Sequence, residues 1–374
     1  MSVAAEKLSP VATPDLPSRV AELVRTDLAP HTVRVDREGW YPEPFMRKLG
    51  DLGAYRQHLA SRNGAGQADF PGAIRAMEAV SRECMSTGFC VWCQDALAWY
   101  LDNADNPAVR SIMLPAVAEG RRLGGTGLSN AMKNLAAIEP LKVRLQRVDG
   151  GYIANGTLPW VSNLGERHAF AAVFELAGSG GRKVMAVVRC DQPGFSLQRC
   201  AEFTALEGSG TFACHFNDSF IPDSQVITTD VAGFIPRIRA GFVLLQMGMG
   251  LGLVQGCIDI MQSVRQTHGH VNRYLDEQPE TLAEALADAR AATYALAEEV
   301  HDSSDGYFAD VLQLRHTGSE LALRASQAAM LHSGARGYLA DAPAQRKLRE
   351  SYFVAIVTPA IKHIRKELER LGAT

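Results

Sequence analysis

Trp160 and Ser162 stand two residues apart in the stretch Tyr152 to Leu164, YIANGTLPWVSNL, whose alternation of apolar and polar residues predicts β-structure. Residues two apart in a strand point the same way, so a broad ring and a short hydroxyl would form a shelf with a hydrogen-bonding edge. A flat heteroaromatic cofactor suits such a shelf. A core tryptophan beside an incidental serine is the competing reading. Within the stretch, Asn155-Gly156 is the dipeptide of a tight hairpin turn.

Three other groups of residues have the types and spacing for chemistry. Cys90-Val91-Trp92-Cys93 has redox or metal spacing, but no second such pair accompanies it and no strand precedes it, so two small buried side chains are expected there. His268-Gly269-His270 lacks a carboxylate or cysteine partner for a metal and reads as a turn. Val357-Thr358-Pro359 breaks a helical pattern: a hydroxyl ahead of a proline predicts one helix ending near Ile356 and another starting at Pro359, with free N–H groups at the restart.

The elements that must position these residues fall into three regions. Residues 1–122 read as a helical domain, after a loose Pro- and Ala-rich terminus of about 15 residues. Its helix candidates are Leu16 to Leu28, Pro42 to Leu52, a stronger one led by Asp69 and Pro71, Val91 to Leu101, and Pro107 to Glu119, with a loop at Asn63 to Gly66. Residues 123–229 change to period two, with strands at Val143 to Val148, the opening stretch, His168 to Phe174, Lys183 to Val188, Gly194 to Arg199 and Thr211 to Phe216. These predict an antiparallel barrel or sandwich ending at Pro222. Residues 230–374 are helical again, at Ile235 to Gln266, Thr281 to Val300, Tyr307 to Ser333 and Ala344 to Leu371, and predict a four-helix bundle. The fold class is therefore α+β and multidomain.

Length and charge exclude several roles. A chain of 374 residues exceeds one hydrophobic core. With 38 Lys and Arg against 41 Asp and Glu, it has no broad basic field for nucleic acid or anionic lipid. Seven scattered cysteines do not form a disulfide framework, and no basic segment followed by an apolar core opens the chain, so a cytoplasmic location is expected. The apolar run Ala240 to Met261, rich in glycine, reads as a fully buried helix and not as a membrane span.

The order of helical third, β domain and bundle resembles the acyl-CoA dehydrogenase superfamily. DGGYIANGTLPWVSNLGERHAFAAVF, FNDSFIPDSQVI, GLGLVQG, and HSGARGY with KLRES carry the resemblance over nearly the whole chain. It implies FAD, in preference to FMN, bound between subunits of a homotetramer or homodimer that acts on a small molecule. Trp160, Val161 and Ser162 would then lie against the flavin ring. A second flavin-contacting strand falls at Leu128-Ser129-Asn130, where the family's usual Thr-Glu-Pro step is missing. The family's Arg-x-Thr-x-Gly pattern, which meets the pyrophosphate from a neighbouring subunit, is matched by type at Arg265 and Thr267 and by spacing nearer Arg273, while Gly334 lies in its adenine-side loop.

At the catalytic positions the chain departs from that pattern. The family places its proton-abstracting Glu at the last helix break or on the buried bundle helix, and this chain has Thr358 at the first place and Phe242, followed by Val243, at the second. Neither can act as that base at neutral pH. Three expectations follow: a flavin-dependent oxidoreductase of the monooxygenase-like branch, which needs no such base, an acyl-thioester dehydrogenase with a base relocated to Glu202, Glu207 or Glu350, or a non-catalytic flavin-binding scaffold. In the first, Thr358 and His363, with Ser162 and His332, are the candidate hydrogen-bond donors to cofactor or oxidant.

Overall fold

The computed structural model describes residues 15–60, 68–199 and 201–373; the expected loose terminus, but for Asp15, and the Asn63 to Gly66 loop lie outside them. Among the described residues six α-helices come first: α1 (Leu16–Leu23), α2 (Thr32–Arg37), α3 (Glu43–Leu52), α4 (Phe70–Glu83), α5 (Met85–Asp102) and α6 (Pro107–Ala118). Side chains of Asp15, Asp69 and Asn106 accept hydrogen bonds from backbone N–H groups at the starts of α1, α4 and α6. Asp69 ahead of Pro71 starts α4, as the sequence predicts.

Eight strands follow: β1 (Gly124–Thr126), β2 (Val143–Val148), β3 (Gly151–Val161), β4 (Ala169–Leu176), β5 (Lys183–Arg189), β6 (Phe195–Gln198), β7 (Phe212–Pro222) and β8 (Val226–Thr228). They form one sheet in the order β6-β7-β3-β2-β4-β5-β8, with β1 also on β4. Antiparallel pairing dominates as expected, but β1 and β2 both run parallel to β4. Phe170, Phe174, Phe216 and their neighbours form an inner core on the sheet, separate from the helical core.

Two sequence expectations for this region are corrected. Asn155-Gly156 does not turn the chain, because the hairpin closes earlier, at the Val148–Gly151 pair, and β3 runs on past both residues. Asn155 instead meets an irregularity in the facing strand: Asn217 and Asp218 together oppose it, its Nδ2 donates to Asp218 Oδ1 at 2.9 Å, and Asp218 N donates to its Oδ1 at 2.9 Å. Leu128 to Asn130 is not a strand but the start of α7 (Leu128–Leu135). Thr126 Oγ1 accepts from Leu128 N at 3.2 Å, and Asn130 accepts from Lys142 N at 3.0 Å, so side chains wind this segment back on itself.

The last region comprises α8 (Val231–Ser263), α9 (Arg265–Asn272), α10 (Pro279–Glu298), α11 (Asp305–Ser333), α12 (Pro343–Ile356) and α13 (Ile361–Arg370). By length and composition α8 could cross a membrane, with 33 residues and mean hydropathy 1.6, but 94% of its apolar window is buried. The helices covering it, α4, α5, α10, α11 and α12, belong to this same chain. His268-Gly269-His270 lies inside α9 and is not a turn, and no group of three metal-ligating side chains occurs among the described residues. The break at Thr358 is present, but α13 begins at Ile361 with Ala360 as its cap and not at Pro359. The Thr358 hydroxyl is engaged elsewhere.

Candidate active site

A cleft of about 470 Å³ lies where α5, α7, α8, the α12–α13 break and β3 converge. Its β side depends on a second irregularity. Leu158 pairs with Cys214 and Val161 with Phe212, so Pro159 and Trp160 together oppose a single residue of β7. Proline has no N–H to give the ladder, which explains the extra residue at this point. Leu158 and Val161 consequently both face the inner core, while Trp160 swings out to 61% exposure beside the cleft. Ser162 follows on the same side. Gly125 of β1 lies directly behind: a Cβ there would come within 2.0 Å of the Ser162 carbonyl oxygen, so only glycine permits the approach.

The opposite wall is aromatic. Phe89 and Trp92 of α5 lie nearly parallel with centroids 5.7 Å apart, Phe353 of α12 meets Phe89 edge-on at 4.5 Å, and Phe242 of α8 meets Trp92 edge-on at 5.1 Å. Trp92 Nε1 donates to the Phe242 carbonyl at 3.2 Å, which fixes the indole. Cys93 also borders the cleft, but both Cys90 and Cys93 are buried free thiols, and burial pushes the Cys93 thiol well up, away from thiolate chemistry.

Between the walls the polar groups are hydroxyls. Ser129 Oγ and Thr358 Oγ1 are 2.8 Å apart, and Ser162 Oγ lies 2.6 Å from Thr211 Oγ1. Thr358 is held from behind: Gln246 Nε2 donates to its carbonyl at 2.8 Å, and Arg315 Nε donates to Gln246 Oε1 at 2.9 Å. Arg315 Nη2 donates to the Val354 carbonyl at 2.5 Å, in the last turn of α12, where carbonyls lack helical partners. This guanidinium is buried without a carboxylate partner among the described residues, and burial brings its pKa down to about 10. At the mouth, Asn130 Nδ2 donates to Glu139 Oε1 at 2.8 Å, and Lys133 Nζ lies 3.7 Å from the same oxygen, with Lys142 nearby.

Of the residues singled out in the sequence, Ser129, Asn130, Trp160, Val161, Ser162 and Thr358 border this cleft, as does Phe242. Leu128 is buried in the helical core instead. His363 sits on α13 away from the cleft, its Nδ1 without a hydrogen-bond partner among the described residues, and burial lowers its pKa. Arg265, Thr267, Arg273 and Gly334 form a separate surface, joined where Asn272 Nδ2 donates to the His332 carbonyl at 2.9 Å. There Arg265 pairs with Glu280 at 2.5 Å, and Arg273 donates to the Tyr274 hydroxyl at 2.8 Å. His332 Nε2 meets the Glu277 carbonyl at 2.8 Å.

None of the proposed relocated bases borders the cleft. Glu350 is fully buried 3.4 Å from Lys347 Nζ, Glu207 is engaged by Phe203 N and Arg199, and Glu202 lies outside the lining. The cleft's carboxylate is Glu139, which the sequence reading passed over, as it did Phe89, Trp92 and Phe353. Trp92 lay within the Cys90–Cys93 motif and could have been weighed for its ring; Glu139 carries no linear signal. The arrangement can sandwich a flat conjugated ring between indole and aromatic wall, with hydroxyls along the ring's edge and no base at the helix break.

Residues 15–121 match the family model described as acyl-CoA dehydrogenase, N-terminal domain. A 2-methylacyl-CoA dehydrogenase of Solanum tuberosum is 22% identical over 92% of this chain and 87% of its own length. A short-chain specific acyl-CoA dehydrogenase of Homo sapiens is 24% identical over 90% and 84%. Among solved structures, butyryl-CoA dehydrogenase from Megasphaera elsdenii superposes with a TM-score of 0.81 at 18% identity, covering 97% of this chain and 99% of the other. A dibenzothiophene monooxygenase from Paenibacillus sp. A11-2 gives 0.79 at 13%, covering 96% of each.

Proposed function

We propose that this chain, a member of the acyl-CoA dehydrogenase superfamily, is an FAD-dependent oxidoreductase whose chemistry needs no carboxylate at the helix break. The superfamily is flavin-dependent, and the lining residues fit a flavin ring: Trp160 offers an exposed face, Ser162 and Ser129 edge hydroxyls, and the cleft volume is in the range of small-molecule sites. Bound there, FAD would supply electron transfer and, once reduced, reaction with O₂. The protein's part is to hold and shield the ring and to orient a substrate against it.

The observation that carries the reading is Thr358, at the break, directed by the Arg315–Gln246 network toward Ser129, with Phe242 on α8 inside the same cleft. A hydroxyl and a phenyl ring do not abstract an α-proton, which favours monooxygenase-type chemistry on an apolar or aromatic substrate. The chain's fold likeness to a monooxygenase is consistent with this and limited to fold. Anaerobic reduction of the FAD-loaded protein, followed by mixing with O₂ in the presence of aromatic substrates, tests it: an oxygenated product supports the reading, and its absence across the panel counts against it.

A second reading is favoured by Glu139, a carboxylate bordering the cleft, and by the acyl-CoA dehydrogenases among the relatives. In it Glu139 leaves Asn130 to act as base on an acyl thioester. Anaerobic bleaching of bound FAD by acyl-CoAs, abolished in Glu139→Gln, would support it.

The surface carrying Arg265, Arg273 and Gly334 is assigned to a neighbouring subunit's cofactor, in a homo-oligomer. Exposed Tyr274, Leu331, Tyr338 and Leu339 on or beside it supply the apolar area such an interface needs.

A further inference from the structure

Three hydroxyls form a chain that starts in the interior and ends at the cleft. Ser209 Oγ is 2.7 Å from Thr211 Oγ1, which is 2.6 Å from Ser162 Oγ. Ser209 is 1% exposed, whereas Ser162 is half-buried and borders the cleft. Each hydroxyl has one proton to donate and two lone pairs to accept with. The two links use two of the three protons, so the third is left on Ser209, on Thr211 or on Ser162.

The three positions are not equivalent. Among the described residues, neither Ser209 Oγ nor Thr211 Oγ1 has an acceptor outside this chain, so a proton left on either would be without a protein partner. At the Ser162 end it faces the cleft. We infer that the chain runs Ser209 to Thr211 to Ser162, which makes Ser162 a hydrogen-bond donor into the cleft and Thr211 its positioning residue. The group it meets is an acceptor, a ring nitrogen or a carbonyl oxygen. Backbone contacts hold the two segments together: Asn163 N donates to the Ser209 carbonyl at 2.9 Å and Leu164 N to the Gly210 carbonyl at 3.0 Å. Successive donation along the chain strengthens the last bond.

What this does to a cofactor rests on the reading of the cleft as a flavin site. Ser162 as a donor matches the acceptor nitrogen of an oxidised ring and mismatches the N–H that replaces it on reduction. Accepting from that N–H while keeping its own proton paired would require Ser162 to donate to Thr211, leaving the Thr211 or the Ser209 proton without an acceptor. The chain therefore favours the oxidised cofactor.

The test compares wild type, Thr211→Val and Thr211→Ser, each loaded with FAD, by fluorescence titration for affinity and by dye-linked reduction for midpoint potential. Valine keeps threonine's volume without its hydroxyl; serine keeps the hydroxyl. Thr211→Val is expected to lose roughly tenfold in preference for oxidised over reduced FAD, an upward shift of about 30 mV for a two-electron couple. Thr211→Ser is expected to stay at the wild-type potential. An unchanged potential in folded, FAD-bound Thr211→Val overturns the chain and leaves the flavin reading intact. An equal shift in both variants also overturns it, because altered packing then accounts for the change. If wild type takes up no FAD, both the chain's role and the flavin reading fall.

Discussion

The Ser129 and Thr358 hydroxyls, 229 positions apart in sequence, lie 2.8 Å apart where the break between α12 and α13 faces the first turn of α7. Neither serves as a helix cap. Thr358→Val keeps the side chain's volume and removes this bond, so stability should fall by about 1 kcal/mol in chemical denaturation. Turnover should fall at least tenfold, about 1.4 kcal/mol of activation free energy. Wild-type turnover in this variant would remove Thr358 from the chemistry.

Gln246→Leu should be among the more damaging single changes in the bundle. It takes an acceptor from a buried guanidinium and a donor from the Thr358 carbonyl at once. A loss of about 3 kcal/mol is expected, read from the midpoint of urea unfolding at unchanged slope.

Trp160→Ala separates binding from folding. The indole is 61% exposed, so unfolding free energy should change by less than about 0.5 kcal/mol. FAD affinity should drop roughly tenfold or more through lost ring contact, measured by fluorescence titration. Unchanged affinity would mean that the ring does not meet a cofactor.

His363 gives a pH signature. Burial holds its folded pKa below the ordinary 6.5, so above that value both folded and unfolded chains carry the neutral ring. As pH falls below 6.5 the unfolded chain takes up a proton that the folded one resists, and stability declines until the folded pKa is passed. His363→Leu should flatten this part of the stability profile while leaving turnover near wild type, since the residue lies off the cleft. Melting temperatures across pH 4.5 to 8, roughly spanning the His range, check it.

Tyr338→Glu addresses assembly. Tyr338 is 83% exposed, so the change should be neutral in an isolated chain. In an oligomer closed over this surface it buries a charge, and light scattering should show smaller particles together with weaker FAD retention.

Much of this architecture is legible in the sequence because it is set locally. Asp69 ahead of Phe70-Pro71 makes its capping bond to Gly72 N at 2.7 Å, and the alternation in Val143 to Val148 becomes β2. What escaped was decided at a distance. The fate of Leu128 to Asn130 depends on an asparagine side chain meeting the backbone of Lys142. Asn155-Gly156 has the chemistry of a turn, yet Asp149-Gly150 lies nearer the pairing that β2 and β3 adopt, and the strand continues through it. The aromatic wall comes from α5, α8 and α12, and no periodicity links Trp92 to Phe242, 150 residues on.

The two irregularities between β3 and β7 have opposite sense: the extra residue is on β7 beside Asn155 and on β3 at Pro159-Trp160. Pairing is therefore one step out of phase between them and back in phase beyond. A homologue that loses or gains a single residue inside this window would exchange the sides on which indole and hydroxyl emerge, so tolerated length variants should come as compensating pairs, one in each strand.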